Sequence, residues 1–359
     1  MKRFFKTAVT LILIVFFGLS FTACSLFKPK THLPVVSGDL SINFLELGNA
    51  SPGDCTYIQY GNIDILIDAG STAGSAATIT SYINAHSKDG TLEYVIATHN
   101  HSDHVAAFGG TNGVLSKFPV ETIIDFDDRT DSTSNAAYRT KRDELIANGT
   151  RHYTGVQCFE ETNEAKRIWP LGDGVYFEIL YNYYFFNNAN GNENNYSIPI
   201  MLVNGDEQYL FTGDMEKPAE DAMVNFYNNP AQLSAYHITN HPNGLGKVRL
   251  MKAGHHCSST ANNEMILNAV RPDIMVIMAV AGGQYDFPSQ DAINRIAKIT
   301  SEVYITTMKT QDGFASYNGN VVYTVTNGIG AVNCSNNNML LKDSPWFIEN
   351  RTMPPEWAA

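Results

Sequence analysis

The chain has 359 residues, a charged-residue content of 17% and a formal net charge of −12. Such an acidic protein has no overall attraction for nucleic acid or anionic lipid, although net charge does not exclude a local basic groove. Its five cysteines have neither zinc-finger nor CxxC spacing, so the sequence assigns no disulfide, and we expect at least some buried thiols.

The N-terminus predicts export. A basic start at residues 2–6 precedes an apolar run over residues 11–17, and Thr22 and Ala23 lead into Cys24. The run is shorter than the roughly 20 residues that a membrane-spanning helix needs, so a permanent transmembrane anchor is the less favoured alternative.

The order of these features resembles the lipobox of bacterial lipoproteins. The resemblance implies a signal peptide over residues 1–23, lipidation of Cys24 and a tether over residues 24–38. Loss of residues 1–23 removes three basic residues and no acid, which lowers the formal charge from −12 to −15. We expect a lipid-anchored protein on the extracellular side of the cell membrane.

Short β-branched and apolar blocks dominate the first half. Strands are predicted at residues 41–47, 55–59, 63–67 and 94–97. Apolar residues at spacings of three and four predict a helix over residues 78–84.

The second half repeats this order of elements. Strands are predicted at residues 175–181, 197–203, 208–212 and 274–278, and helices at residues 219–227 and 262–270. The Asn- and Gly-rich stretch 187–195 predicts a loop. Strand-rich halves followed by helices predict an α/β fold of two stacked sheets with helices outside.

No repeat or long linker divides the mature chain, which predicts one domain over residues 39–335. The remaining C-terminal tail, residues 336–359, follows an Asn-rich stretch that begins at Asn333. We expect this end to be loosely attached.

The segment after the strand at 94–97 has the composition of a metal site. His99, His101, Asp103 and His104 place three imidazoles and one carboxylate within six residues. Zinc, iron and manganese accept both ligand types, and alternation in an extended segment points His99 and His101 the same way. Asp103 and His104 then turn toward a second position, so metal ligation is predicted over a polar loop with chance histidines.

This His-x-His-x-Asp-His pattern over residues 99–104 resembles the signature of the metallo-β-lactamase superfamily. Other blocks lie in the order that the superfamily uses, with residues 66–70 before the signature and residues 210–214 and 252–258 after it. The resemblance covers about residues 40–330. It implies a four-layer αββα sandwich that carries a metal-dependent hydrolase site.

Within the superfamily, further blocks are similar to the extracellular hydrolase domain of ComEC-type competence proteins and to teichoic acid phosphorylcholine esterases. These blocks are residues 51–54, 194–197, 213–214 and 255–258. Residues 285–289 also resemble a late ComEC motif, which usually has His where this chain has Phe287.

The resemblance implies two metal positions. Their ligands would be His99 and His101 at the first, Asp103, His104 and His256 at the second, and Asp214 between the two. We favour His256 over the adjacent His255 as a ligand, although the sequence does not decide between them. His255 would then face the substrate or support the ligands, and Asp103 and His255 are the catalytic candidates.

The superfamily's usual third histidine at the first metal is absent from this sequence, because no His lies between Cys158 and Asp214. Asn195 and Ser197 lie near that place, and both are weaker ligands. The first position is therefore expected to bind metal loosely or to stay empty.

Two carboxylates are expected to support the ligands. Asp68 ends a strand before Gly70, which places its carboxylate to hydrogen-bond a ligand imidazole. Asp54 follows Gly53 in a similar way. For both residues, capping of a turn is the alternative.

A histidine pair and an aromatic block have two possible interpretations each. His237 and His241 have the spacing of a helical ligand pair, but Pro242 indicates a loop, so surface histidines are favoured. The aromatic block over residues 181–186 is typical of sheet packing, and a cation-binding wall is the alternative.

Two zinc ions, or manganese ions, about 4 Å apart can activate a shared hydroxide, with its pKa lowered from near 16 toward 7, and polarise a phosphoryl or carbonyl oxygen. A hydroxide nucleophile agrees with the lack of a recognisable Ser/His/Asp elbow in the sequence. These features predict an extracellular phosphodiesterase or phosphoesterase.

The expected substrate is a small-molecule or polymer phosphoester. The ComEC resemblance implies a nuclease and the esterase resemblance implies removal of phosphorylcholine; the acidic charge disfavours nucleic acid. An amide or lactam hydrolase, or a non-catalytic surface-binding protein with a degenerate metal site, are the alternatives. Membrane contact is expected through the N-terminal lipid only, and the sequence does not set the oligomeric state.

Overall fold

The computed structural model describes residues 40–126, 135–310 and 313–358. The predicted signal peptide, the tether and the lipidation site Cys24 lie outside the described residues, so these assignments stay predictions.

Two eight-stranded sheets form the centre of the described structure. The first sheet has the order β16-β15-β1-β2-β3-β4-β5-β6. Its strands are β1 (Leu40–Phe44), β2 (Thr56–Tyr60), β3 (Ile63–Ile67), β4 (Leu92–Ile96), β5 (Val120–Asp125), β6 (Arg151–Thr154), β15 (Val321–Thr326) and β16 (Ile329–Cys334).

The second sheet has the order β14-β13-β12-β11-β10-β9-β8-β7. Its strands are β7 (Ile168–Gly172), β8 (Val175–Ile179), β9 (Ile200–Asn204), β10 (Glu207–Phe211), β11 (Leu250–Lys252), β12 (Ile274–Ala281), β13 (Glu302–Thr310) and β14 (Gly313–Ser316). In both sheets hairpins pair antiparallel, whereas the neighbours β3 to β6 and β10 to β13 pair parallel.

The sheets pack face to face through alternating side chains. The ring of Phe44 on β1 lies 6.1 Å from that of Phe211 on β10, and Thr56 on β2 contacts Met278 on β12. Because side chains alternate along a strand, the intervening residues point outward. Tyr57 accordingly leaves the interface and its ring packs edge-on against Tyr82.

Helices flank the two sheets, most of them on the faces that point away from the sheet interface. They are α1 (Ser75–His86), α2 (Ser102–Val105), α3 (Ala136–Ala147), α4 (Gly155–Glu160), α5 (Lys217–Tyr227), α6 (Pro230–Ala235), α7 (Glu264–Val270), α8 (Gln290–Ala297) and α9 (Pro345–Asn350). Tyr82 places α1 outside the first sheet, and Tyr227 of α5 bonds to Tyr181 at the end of β8 outside the second. The fold is therefore the predicted four-layer αββα sandwich.

The predicted elements exist, with shifted ends. The helix expected over residues 78–84 extends over Ser75–His86, and the strand expected over residues 274–278 continues to Ala281. The expected loop 187–195 ends in a short 3-10 turn, Glu193–Tyr196.

The expectation of a loosely attached C-terminus is wrong. Leu341, Phe347 and Trp357 of the tail are buried, and the indole of Trp357 donates a hydrogen bond to the carbonyl of Thr300. Burial of these apolar and aromatic side chains holds the tail on the domain.

The thiols of Cys55, Cys158 and Cys257 are free and buried, as expected, and that of Cys334 is free and half-buried. Across residues 40–126, 135–310 and 313–358, no helix has the length and apolar composition to cross a bilayer.

Candidate metal centre

The predicted site residues lie where parallel strands of both sheets end. Asp68 follows β3, His99 follows β4, Asp214 follows β10 and His255 follows β11. Because parallel strands bring their carboxyl ends to one edge of a sheet, the face-to-face packing of two such sheets gathers these loops at one place. This topology, rather than sequence proximity, brings the two halves of the motif together.

The first loop of the centre is fixed by backbone contacts. The amide of Asp54 donates to the carbonyl of Asp103, and the amide of Ala69 donates to that of His104. A Cβ at Gly70 would lie only 1.5 Å from the carbonyl oxygen of Asp103. Glycine is therefore required for this close approach, which holds α2 against the end of β3.

The turn that carries Asp214 is equally restricted. Gly213 has φ +55°, and a Cβ there would meet the hydroxyl of Ser197 at 2.8 Å. That hydroxyl accepts a hydrogen bond from the backbone amide of Asp214. The geometry places the Asp214 side chain toward the histidines.

The two adjacent histidines lie in a strained turn. His255 and His256 have φ values of 46° and 50°, in the left-handed region that non-glycine residues rarely adopt. The side chain of Asn262 holds the turn because it bonds to both the amide and the carbonyl of Gly254. Asn262 is held in turn by the buried carboxylate of Glu220, which accepts from its amide at 2.7 Å.

Four of the predicted ligands converge. Asp103, His104, Asp214 and His256 each offer one ligand atom, and these atoms all lie within 4.8 Å of one another. Oδ2 of Asp214 lies 3.1 Å from Nε2 of His104 and 3.4 Å from Nε2 of His256, and Oδ2 of Asp103 lies 3.3 Å from Nε2 of His256.

The donors in this group fit a divalent cation. Nε2 of His104 and Nε2 of His256 are buried and make no hydrogen bond within the described residues. Buried polar atoms without a partner are costly, and here they face two carboxylates. Two imidazoles and two carboxylates form a typical ligand set for zinc or manganese.

The opposite ring nitrogens orient both imidazoles. Nδ1 of His104 lies 2.8 Å from Oδ2 of Asp68, and Nδ1 of His256 lies 2.8 Å from the carbonyl oxygen of Met278. Each contact fixes the tautomer that leaves Nε2 free for a metal. Asp54 lies nearby, with Oδ1 3.3 Å from Nδ1 of His256.

The other two predicted histidines lie beside this group, since the ring of His99 is 4.1 Å from that of His104 and 4.8 Å from that of His101. Nε2 of His99 lies 3.1 Å from Nδ1 of His101, and Nδ1 of His99 lies 3.2 Å from the hydroxyl of Ser197. Within the described residues, neither histidine belongs to a group of three or more metal-ligating side chains. The side-chain oxygen of Asn195 accepts from the backbone amide of Glu216.

Electrostatics links the four converging residues. Burial disfavours a charged His104, but the carboxylates of Asp214, Asp68 and Asp54 outweigh burial and raise its pKa well above the ordinary value. The same balance raises the pKa of His256. In return, although burial opposes it, the two imidazoles hold the pKa of Asp214 well below its ordinary value.

Sequence reasoning missed Lys252 as a part of the centre. Its side chain is buried, and its ammonium contacts the carboxylate of Asp54 and donates to the carbonyl of Gly213 at 2.9 Å. The ammonium also lies 3.6 Å from Oδ1 of Asp214. A lysine at the end of a buried strand was the available signal, since an unpaired buried ammonium is prohibitively costly.

Glu216 was missed as well. Its Oε1 lies 3.3 Å from Nδ1 of His255 and accepts from the side-chain amide of Asn194. These hydrogen bonds, that of His255 first, lower the pKa of Glu216 to about 2. An ionised carboxylate is therefore present beside His255, whose Nε2 lies 4.0 Å from Oδ2 of Asp214.

The centre opens into a cavity of about 330 Å³. Its lining includes three of the converging residues, Asp103, Asp214 and His256, together with His101, Asn194, His255, Tyr285 and Phe287. The cavity gives a ligand direct access to three of the four converging side chains, and His104 lies buried beside them.

The remaining histidines take different positions. His237 is exposed in a loop, as expected, whereas His241 is buried and its Nε2 lies 2.9 Å from Oε2 of Glu178. The expectation of a surface His241 is wrong, because a buried carboxylate on β8 gives it a partner. In the aromatic block, Tyr181 stacks on Phe226 at 3.9 Å, which agrees with a packing role.

Comparison with known proteins agrees with this geometry. The family model for the metallo-beta-lactamase superfamily matches residues 48–125. The chain is 25% identical to Recombination protein 2 of Haemophilus influenzae over 272 residues, which is 75% of this chain and 28% of that protein. It is also 25% identical to Competence protein ComA of Neisseria gonorrhoeae over 248 residues, 69% of this chain and 28% of that protein.

Among solved structures, the metallo-beta-lactamase fold protein YhfI of Bacillus subtilis is similar over 80% of this chain and 100% of that chain, with 14% identity and a TM-score of 0.46. The matches to the two curated relatives span little more than a quarter of their length. The metallo-beta-lactamase superfamily, whose family model matches residues 48–125, consists mostly of metal-dependent hydrolases.

Proposed function

We propose that this protein is a metal-dependent phosphoester hydrolase, with phosphodiesters as the favoured substrates. The observation that carries the proposal is the convergence of Asp103, His104, Asp214 and His256, three of which line an open cavity. A divalent metal held there supplies an activated water and polarises the phosphoryl oxygen.

The chain's own residues hold and orient that metal. Asp68 and the Met278 carbonyl fix the rings of His104 and His256, so that both Nε2 atoms point to one position. Lys252 balances part of the negative charge of Asp54 and Asp214 from the side away from the cavity. This arrangement is preorganised, which keeps the reorganisation cost of catalysis low.

His255 is the candidate for contact with substrate. The Glu216 carboxylate beside Nδ1 favours a proton on that nitrogen, while Nε2 faces the cavity side of Asp214. With Nδ1 directed at Glu216, Nε2 of His255 is available to a substrate group in the cavity, beside the side-chain amide of Asn194 at 3.4 Å.

The proposed location rests on the N-terminal sequence, and the proposed substrate rests on the comparison with known proteins. The N-terminal pattern at residues 1–24 supports a lipid-anchored protein on the extracellular side of the membrane. Recombination protein 2 and Competence protein ComA, to which the chain is similar, are named for recombination and competence, which supports DNA as one phosphodiester to test.

The test uses the purified full-length chain and bis(p-nitrophenyl) phosphate, before and after chelation and with zinc or manganese restored. We expect turnover that chelation abolishes and metal restores, and loss of turnover in Asp214→Asn. His237→Gln changes an exposed histidine outside the centre and is the matched control. A chain that stays inert with added metal refutes the proposal.

Side-by-side turnover of DNA, a phosphocholine ester and nitrocefin then identifies the substrate class. Cleavage of nitrocefin alone would replace the phosphoester proposal with that of a lactam hydrolase.

A further inference from the structure

The outer wall of the cavity carries two aromatic rings in sequence. The Phe287 ring packs on His256 at 6.0 Å with an interplanar angle of 28°, and Tyr285 packs on Phe287 at 5.6 Å with 27°. Both aromatic residues line the same cavity as the metal-ligand candidates Asp103, Asp214 and His256. The rings thus lead stepwise from a ligand imidazole toward solvent.

Tyr285 leaves a large aromatic surface uncovered. Its exposed fraction is 58%, which is high for a large aromatic residue beside a polar centre. An exposed aromatic face beside a binding cavity costs solubility and typically serves recognition.

The loop that carries both rings is held firmly. The guanidinium of Arg351, in the packed C-terminal tail, donates to the carbonyls of Asp286 and Pro288. On the other side, the amide of Ser289 donates to the carbonyl of Cys257, and the amide of Gly282 to that of Phe287. The rings are therefore presented in a fixed orientation, which reduces the entropic cost of stacking a ligand on them.

We propose that Tyr285 and Phe287 form a stacking platform that binds a planar aromatic ring of the substrate, such as a nucleobase, beside the scissile phosphoester. The inference rests on the proposed function and names its specificity-determining residues. Base stacking on an aromatic side chain depends on a flat face and tolerates any base, because every base has one.

The ring geometry distinguishes this ligand from a quaternary ammonium. A cation such as choline binds in cages whose aromatic faces surround it. The rings of Tyr285 and Phe287 lie 5.6 Å apart at an angle of 27°, so they offer one flat surface rather than facing walls. A planar ring continues such a stack.

Calorimetry on the zinc-loaded full-length chain tests the platform with three ligands: thymidine 5′-monophosphate, methyl phosphate and phosphocholine. We expect Tyr285→Ala to weaken thymidine monophosphate about tenfold or more, the range of a lost base stack, and to weaken methyl phosphate much less. Tyr285→Phe should retain the affinity within about threefold, because the aromatic face remains.

Tyr183→Ala is the matched control, since Tyr183 is 42% exposed but does not line this cavity. It should leave all three affinities unchanged. Equal affinity of wild type and Tyr285→Ala for thymidine monophosphate overturns the platform. An equal loss of affinity for phosphocholine and for the nucleotide in Tyr285→Ala also overturns it, as does a wild-type protein that binds no nucleotide. Binding needs no turnover, so a chain that stacks the nucleotide yet cleaves no phosphoester refutes only the proposed function.

Discussion

The buried ammonium of Lys252 is the feature whose removal has the largest expected effect on stability. Lys252→Met keeps a similar volume but deletes a charge that contacts Asp54 and lies 3.6 Å from Oδ1 of Asp214. Two unit charges about 4 Å apart interact by about 4 kcal/mol at an effective dielectric constant near 20. Removal of one partner from a buried ion pair costs about 3–5 kcal/mol of stability, and Lys252 is the strongest charged partner of Asp54.

Urea unfolding of the full-length chain at pH 7 in the presence of chelator measures this change. The expected loss corresponds to a fall in Tm on the order of 5–10 °C for a domain of this size. Lys247→Met is the matched control, because Lys247 pairs with Asp273 at 2.6 Å but is 63% exposed. Exposed pairs contribute at most about 1 kcal/mol. Equal stability of the two variants would refute the assignment of Lys252 to the buried charge network.

Three further predictions follow from the site. Because carboxylates raise the pKa of His104 and His256, zinc must displace protons from both rings, so zinc affinity should rise with pH. Calorimetry in buffers of different ionisation enthalpy should detect proton release on zinc binding near neutral pH. Zinc binding without proton release would contradict this prediction. Asp68→Asn should weaken zinc binding about 10–100-fold, measured by competition with a chelator, and unchanged affinity would count against its orienting role. Burial raises the pKa of Glu220 to about 7, so ionisation of this carboxyl disfavours the folded state. The free energy of unfolding should therefore fall by up to about 3 kcal/mol from pH 4.5 to 7. Glu220→Gln should flatten this dependence of the free energy of unfolding on pH.

The sequence predicted the elements with strong periodicity and the residues with strong ligand chemistry. His99 to His104 follow a strand in a compact motif, and β3 and β12 have the length and apolar composition of buried strands. The choice of His256 over His255 depends on a turn with positive φ at both residues, which no local pattern indicates. The structure favours His256 as the metal ligand, because its ring nitrogen alone of the two is buried among the carboxylates.

What the sequence did not predict depends on long-range contacts. Lys252 joins the centre only because β11 lies beside β10 in the second sheet, and Glu216 does so because its helix begins next to His255. The packed tail was missed for the same reason, since Arg351 and Trp357 bond to the carbonyls of Pro288 and Thr300, far away along the chain. Local composition carries no information about such partners.

Zinc binding by His256→Gln and His255→Gln tests the metal centre most directly. Calorimetry on both full-length variants compares two neighbouring histidines of one turn. Nε2 of His256 lies 3.4 Å from Oδ2 of Asp214. Nε2 of His255 lies 4.0 Å from the same oxygen, and Nδ1 of its ring contacts Glu216. We expect His256→Gln to lose at least 100-fold in zinc affinity and His255→Gln to retain it within about fivefold. Tight zinc binding by His256→Gln would contradict convergence of the four side chains on one cation.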